Sequence, residues 1–542
     1  MSLGGAATPA TADFSAAANQ TIASLTAPTN STSANTLALG SKTLNISSFK
    51  TGLVNPSVTI RGSAGGTSRV TNFIIADGNI YTNGGSTAQS GTVDLTAGTV
   101  DALINNLNVG VGKASSNTAG STGLLTYNTG TIDANTVADG IRGTTTAAAA
   151  STGTITLGGT AVLNVNAGGL KLADTSVGAS TGTTTGILNI NGTSTVNMVG
   201  GDILGGGGTS TITLNGGTLD LQYHNLDTSG GPIANLNLQT GTLKNVLEIN
   251  GGGVGLTKTV AGTLIVDGVN AYTGNTNVNA GTLALAAGGS ITGSTTITVA
   301  SGAIANINGT VPTNATVHAN GTTNFGGTTG NALLTRTLAA LNIAGGVTAS
   351  ITPSTNAFTP TFLSPTSLSF GDGSAKLDLT NNAIIATGDQ DVALTLIQSG
   401  QVFSSTLADP NHALGYTSVP SSSNMEIRYT FKGDTKLDGK VNVGDLGALA
   451  TNYNTTGGMS WANGDFNQDH TVNVADLGAL ATNYNVQLGS GSSSAGGLSA
   501  EPLAVVAASA LSSAAVPEPS TFALLGLGAL GQMSRRPRRH NV

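Results

Sequence analysis

Aliphatic and small polar residues alternate along most of the first 345 residues, and one short phrase keeps returning: Gly-Thr, an aliphatic, any residue, an aliphatic. It stands at Gly91-Thr-Val-Asp-Leu95, Gly153-Thr-Ile-Thr-Leu157, Gly217-Thr-Leu-Asp-Leu221, Gly262-Thr-Leu-Ile-Val266 and Gly281-Thr-Leu-Ala-Leu285, with a shorter copy at Gly241-Thr-Leu243. From Gly217 the starts fall at 217, 241, 262 and 281, so the spacings are 24, 21 and 19. That is the length of one coil of a β-solenoid. Alternation puts the aliphatics at positions three and five on one face of a strand. Thr suits the pleat, and the Gly before each strand permits the positive φ that a corner needs. A lone coil cannot bury its aliphatic face, but stacked coils can. The pattern predicts a mainly β fold, a parallel β-solenoid or β-helix, over residues 40–345, preceded by a disordered or capping segment over 1–39.

The periodicity changes over 346–430, where Pro353, Pro360, Pro365 and Pro410 interrupt it. Ser367–Phe370, Leu377–Leu379 and Ala393–Ile397 read as strands, so this stretch is expected to be a small β unit or the cap of the solenoid. Asp389 and Asp391 read as a polar turn, with a cation pair as the alternative.

Residues 431–485 carry two segments 31 residues apart, Gly433-Asp-Thr-Lys-Leu-Asp-Gly-Lys-Val-Asn-Val-Gly-Asp445 and Gly464-Asp-Phe-Asn-Gln-Asp-His-Thr-Val-Asn-Val-Ala-Asp476. Each ends in the same run, Asp-Leu-Gly-Ala-Leu-Ala-Thr-Asn-Tyr-Asn. Calcium takes six to eight hard oxygen ligands, and a twelve-residue loop delivers them from positions 1, 3, 5, 7, 9 and 12. Loop two offers Asp465, Asn467, Asp469, the carbonyl of Thr471, Asn473 and Asp476. Loop one offers Asp434, Asp438, the carbonyl of Lys440, Asn442 and Asp445. Its position 3 is Lys436, which removes a ligand and adds a positive charge, so this site should bind Ca2+ more weakly or not at all. Position 6 of loop two is His470, where Gly normally makes the sharp turn. After each loop Leu446, Leu449, Ala450 and Tyr453, then Leu477, Leu480, Ala481 and Tyr484, recur at the spacing of one helix face.

The doubled loop resembles a type I dockerin domain. The resemblance implies a small α module and a cohesin partner read through loop positions 10 and 11, here Val443-Gly444 and Val474-Ala475. Both pairs lack the hydroxyls common in cellulosome dockerins, so a calcium-stabilised spacer stands as the alternative. Upstream, Leu256-Thr257-Lys258, Gly262-Thr263-Leu264, Asn270-Ala271-Tyr272-Thr273-Gly274 and Gly281-Thr282-Leu283 resemble the autotransporter-associated β-strand repeat, which implies a secreted, passenger-type solenoid. No β-barrel translocator follows, so the chain is not expected to be an autotransporter itself.

Residues 486–515 read as a Gly/Ser- and Ala/Ser-rich linker. Then come Val516-Pro-Glu-Pro-Ser520, an apolar run from Phe522 and a basic cluster, Arg535-Arg536-Pro537-Arg538-Arg539. This order over 516–542 resembles the PEP-CTERM sorting signal. It implies export, an apolar tail helix transiently anchored in the inner membrane, and processing by an exosortase-type enzyme. The apolar run is shorter than the roughly 20 residues that span a bilayer. Met1-Ser2-Leu3-Gly4-Gly5 shows neither a basic n-region nor an apolar h-region, so either the true start is expected upstream or the export signal has an unrecognised form.

Composition narrows the function. Charged residues are 8% of 542, against roughly 25% in a typical soluble domain. The mean hydropathy of +0.14 and the regular aliphatics favour stacked strands over disorder. Net charge is −7, with no basic patch outside the last ten residues, so nucleic acid is excluded as a partner. With no Cys, disulfides, thiolate metal sites and cysteine nucleophiles are excluded together. Glu248, Glu426, Glu501 and Glu518 are the only Glu, and Asp94, Asp101, Asp133, Asp202, Asp220 and Asp267 are scattered singly. They read as turn chemistry, and His224 and His318 as surface residues. The expectation is a non-enzymatic cell-surface or extracellular-matrix structural or adhesion protein. One alternative is an accessory protein of extracellular polysaccharide degradation, assembled through dockerin–cohesin pairing. Another is a β-helix polysaccharide lyase or hydrolase, which needs paired carboxylates in one groove.

Overall fold

The structure, a computed structural model, describes residues 66–77, 88–112, 120–144, 146–228, 232–327, 333–407 and 409–488, together with short strands between 11 and 61. The linker from 489 onward and the sorting tail lie outside the described residues. Strand accounts for 50% and helix for 8%, so the chain is mainly β. It divides into two compact units, Met1–Thr430 and Phe431–Val542.

Parallel pairing between sequence-adjacent segments organises the first unit. Two long strands, β1 (Gln89–Val111) and β2 (Ser121–Ile141), pair in parallel from Gln89↔Ser121 to Val111↔Ile141, with one register shift between Tyr127 and Thr129. On its other side β2 pairs with three successive strands, β3 (Ser151–Leu157), β4 (Val162–Val165) and β5 (Leu170–Asp174). One strand therefore runs past two corners that the next circuit marks with breaks, and Gly130 turns the first of them at φ +95°. β6 (Thr184–Asn191), β7 (Thr195–Met198), β8 (Thr209–Asp220), β9 (Asn235–Lys244), β10 (Thr263–Asp267) and β11 (Thr282–Leu285) continue the ladder. The pairings β2–β3–β6–β8–β7–β4–β2 close a ring of six parallel strands. The ring closes because β2 bends round a corner to pair with both β3 and β4, and β8 bends to pair with both β6 and β7.

Alternation sets the core, as the period of two requires. In β3, Ile155 and Leu157 are fully buried, while Thr152, Thr154 and Thr156 face outward. The aliphatics at phrase positions three and five are buried in all five full copies. Register links one column without a break: Ile132, Leu163, Val196, Leu219, Leu243, Val266, Leu285, Ile307, Phe325 and Ile351. Every member is at most 2% exposed, so removing any one opens a void that its neighbours cannot fill. The phrases do not all align. Gly217-Thr-Leu219 and Gly241-Thr-Leu243 match position for position, but Leu243 pairs with Val266 rather than Leu264. The slip is two residues, so every side chain keeps its face. It brings Lys244 Nζ to 3.4 Å from Asp267.

A glycine ladder, Gly91↔Gly123↔Gly153↔Gly186, marks where opposite sides of the circuit approach. A Cβ on Gly153 would strike the backbone of Val109 and Gly140, and one on Gly186 would strike Ala173. Asp139 sits at this narrow edge with no exposure, in register between Val109 and Leu172.

The ladder runs on through 346–430, with Ala349↔Leu377 and Leu377↔Val402 still parallel. It ends where Ala383–Thr387 meets Asn424–Arg428 antiparallel. The segment Ala393–Ile397, expected as a strand, lies instead in helix α1 (Gln390–Gln398). Asp389 caps that helix, accepting from the Asp391 and Val392 amides at 3.1 and 3.0 Å. The cap satisfies donors that a strand would leave to a neighbour. Among the described residues no helix is long and apolar enough to cross a membrane.

Candidate metal centre

In the second unit each loop leads into a helix, α2 (Val443–Asn452) and α3 (Val474–Thr482). The same hydrogen-bond frame appears twice. The position-1 carboxylate accepts from the amides of positions 5 and 6. For Asp434 these are Asp438 and Gly439, at 3.2 and 2.8 Å. For Asp465 they are Asp469 and His470, again at 3.2 and 2.8 Å. Positions 9 and 12 form a capping box. Asn442 accepts from the Gly444 amide and gives its own N–H to Asp445; Asn473 does the same with Ala475 and Asp476. The other oxygen of position 12 reaches back to position 2. Asp445 accepts from the Thr435 amide and hydroxyl at 3.1 and 2.9 Å, and Asp476 from the Phe466 amide at 2.8 Å. The short Asp side chain suits this double role.

Both loops turn left-handed at positions 4 and 6: Leu437 and Gly439 at φ +54° and +79°, Gln468 and His470 at +62° and +64°. His470 therefore adopts the strained backbone that its position implies.

Asp434, Asp445, Asp465 and Asp476 are buried, at no more than 1% exposure. Burial pushes the Asp465 carboxyl above the ordinary range. The His470 and Asp469 amides pull it down, and the Asp476 and Asp469 carboxylates push it up again. Three carboxylates of loop two are thus close enough to repel, and among the described residues no ion pair reaches any of them. This is a donor set that a divalent cation fits. Asp469 also accepts from the Thr471 amide at 2.8 Å, and Asn467 Nδ2 donates to Asp469 across 2.8 Å. In loop one Asp438 accepts from the Lys440 amide at 2.9 Å. Among the described residues no three Asp, Glu or His side chains are arranged to hold a metal ion by themselves.

The helix faces differ from expectation. Asp445 with Leu449, and Asp476 with Leu480, are the buried pairs, whereas Ala450 and Tyr453 are exposed. The helices stop before Tyr453 and Tyr484 because Asn454 and Asn485 turn left-handed, at φ +61° and +64°. The two halves interlock. A Cβ on Gly433 would lie 2.9 Å from Leu480 Cα, and one on Gly464 would lie 3.0 Å from Leu449 Cα.

In the first unit the scattered acids are engaged. Asp101 and Asp133 pair with Arg61 and Arg69 at 2.5 and 2.8 Å. Asp94 accepts from the Thr96 hydroxyl, Asp202 from the Asn225 amide and Asp220 from the Gln222 amide. His224 lies 3.8 Å from Asp202, and His318 is 3.3 Å from Asn342.

Residues 515–539 match the family model of the PEP-CTERM protein-sorting motif, and residues 256–285 match the passenger-associated-transport-repeat. No curated protein and no solved structure matches the chain.

Proposed function

We infer that the chain is an exported protein, a reading supported by the sorting motif and the transport-type repeat, and that it is processed at its C-terminal end by the exosortase-type enzyme that the motif implies. We propose that the first unit is a parallel β-solenoid serving as a structural stalk or adhesive surface at the cell exterior. In this reading the second unit is a dockerin-like, calcium-stabilised module ahead of the sorting tail. The observation that carries the calcium reading is the identical oxygen frame around buried carboxylates in loops 31 residues apart. Charge at that density inside a small unit needs a counter-ion, and calcium binding to the folded form alone would stabilise it by mass action. The unbroken aliphatic column supports the solenoid.

Calcium titration of the full chain by calorimetry, against Asp465→Ala, tests this. Heat of binding that disappears in the variant is expected. Equal heats in both, or none in either, would remove calcium from the function.

A second reading, assembly onto a cohesin-like partner, is favoured by Val443 and Val474. These valines share position 10 of the two loops and are 71% and 41% exposed. A catalytic body has less support, because its candidate acids are held in ion pairs and turns. Pull-down with a cohesin-type domain, and binding of soluble polysaccharide to the first unit, separate these readings.

A further inference from the structure

We infer that Tyr223 is the sugar-stacking residue of a site for an uncharged polysaccharide on an outer corner of the first unit. The inference rests on the adhesive reading of that unit.

Among the described residues of the first unit, Tyr223 is the one aromatic ring left more than half open, at 54% exposure. Among the same residues no hydrogen bond reaches its hydroxyl. Tyr127 and Tyr272, by contrast, are fully buried in the core. The open ring is carried on a costly backbone. Gln222 and Tyr223 turn left-handed one after the other, at φ +44° and +69°. The pairings Asn197↔Asp220 and Ile203↔Leu226 carry the same offset, so Tyr223 stands in register with Gly200, and His224 with Gly201. On the other side the Tyr223 amide donates to the Asn245 carbonyl at 2.8 Å, and the Lys244↔Asp267 pairing aligns Asn245 with Gly268. These circuits turn the corner with residues suited to it: Gly201 at φ +75°, Asn245 at +54° and Gly268 at +64°. Glycine would fit at 223 freely, whereas a bulky side chain there is strained. Strain of this kind is kept where function uses it. A side chain so exposed adds little to the core, so what the turn gains is the displayed ring.

The groups around the ring are those that hold a sugar. The C–H face of a pyranose lies against an aromatic ring, and its hydroxyls bond to carboxylates and carboxamides. Beside Tyr223, Asp220 accepts from the Gln222 amide at 3.0 Å and from Asn245 Nδ2 at 2.9 Å, and the Gln222 side chain is exposed. The apolar surface continues onto neighbouring circuits through Val199, Leu247 and Val269, all exposed. Val199 shares the register position of Gln222. The Leu247 amide donates to the His224 carbonyl, and the Val269 amide to Asn245 Oδ1, each at 3.2 Å. A strip that crosses successive circuits suits a chain rather than a single sugar. Charge narrows the class of chain. Asp202, Asp220 and Asp267 outnumber Lys244 here, so the corner repels an acidic polymer and accepts a neutral one.

The test is affinity electrophoresis of the full chain through gels carrying hydroxyethyl cellulose, galactomannan or alginate, with thermal unfolding alongside. Wild type is expected to be retarded by a neutral polymer and not by alginate. Tyr223→Phe is expected to keep the retardation. Tyr223→Gly is expected to weaken binding roughly tenfold while leaving the unfolding midpoint of the first unit unchanged or raised, because glycine fits the turn. A lowered midpoint in Tyr223→Gly makes the ring a packing residue and overturns the inference. Retardation that Tyr223→Gly leaves intact, or retardation by alginate alone, overturns it too and leaves the adhesive reading standing. No retardation by any of the three polymers overturns the inference together with the adhesive reading, and the first unit is then a stalk.

Discussion

The indole N–H of Trp461 donates to the main-chain oxygen of Asp434 across 2.6 Å. Asp434 opens loop one. The same ring meets Phe466, position 2 of loop two, edge-on at 5.2 Å. A single fully buried side chain therefore ties both loops together, and each should sense the state of the other. Trp461→Phe keeps an aromatic but loses the donor and some volume. It should cost about 1–3 kcal/mol in the stability of the second unit. Calorimetric unfolding should show one transition at lower temperature for this unit, with both loops lost together.

Calcium should raise the unfolding midpoint of the second unit, and chelation should reverse the gain. At free calcium one hundred times its dissociation constant, the stabilisation should reach about 2.7 kcal/mol. Differential scanning calorimetry with calcium or chelator measures it. An unchanged first-unit transition in the same scan serves as the internal control.

Much of this was legible in the sequence, for reasons that differ by segment. The Gly-Thr phrase marked the buried aliphatics because strand burial has a period of two and the phrase repeats it. Register was not legible, because Gly241 and Gly262 look alike while a two-residue slip costs no side chain its face. Helix α1 was hidden by the alternation in Ala393-Leu-Thr-Leu-Ile397, and only the Asp389 cap decides against a strand. The doubled loop was plain from its spacing.

Asp139 gives the first unit an acid-side stability gain. One oxygen accepts from the Ile187 amide at 2.9 Å, and the other is buried without a partner. Burial pushes this carboxyl well above the ordinary range, with the Ile187 amide pulling weakly the other way. The folded pKa exceeds the unfolded one, so the folded state binds more protons between the two values. Stability should fall as pH rises from the ordinary carboxyl value, about 3.9, through the raised one, and then level off. Asp139→Asn should flatten this slope. Asp139→Leu, which continues the Val109–Leu172 column, should raise the midpoint at pH 7. Thermal melts of wild type and both variants across pH 4–8 measure the difference.

The slipped register can be read from side-chain truncation. Leu243→Ala and Val266→Ala each remove a fully buried neighbour from the column and should cost about 1–4 kcal/mol. The double variant should fall short of the sum, because the two side chains share one void. Leu243 with Leu264, the pair that the repeated phrase would align, should be closer to additive. Chemical denaturation of the single and double variants gives both coupling terms.

Backbone handedness at position 6 should separate the loops by opposite responses to small substitutions. Gly439 and His470 hold nearly the same left-handed φ, but only glycine adopts it without a Cβ penalty of about 1–2 kcal/mol. Gly439→Ala should therefore destabilise the second unit by about 1 kcal/mol. His470→Gly releases the strain but loosens the unfolded chain, which takes back about 0.5–1 kcal/mol. Its net effect should be neutral to slightly stabilising. Because the His470 amide donates to Asp465, calcium affinity reports whether relief of strain also preserves the frame. Affinity should hold in His470→Gly, and a loss there would mean that the imidazole contributes more than its backbone.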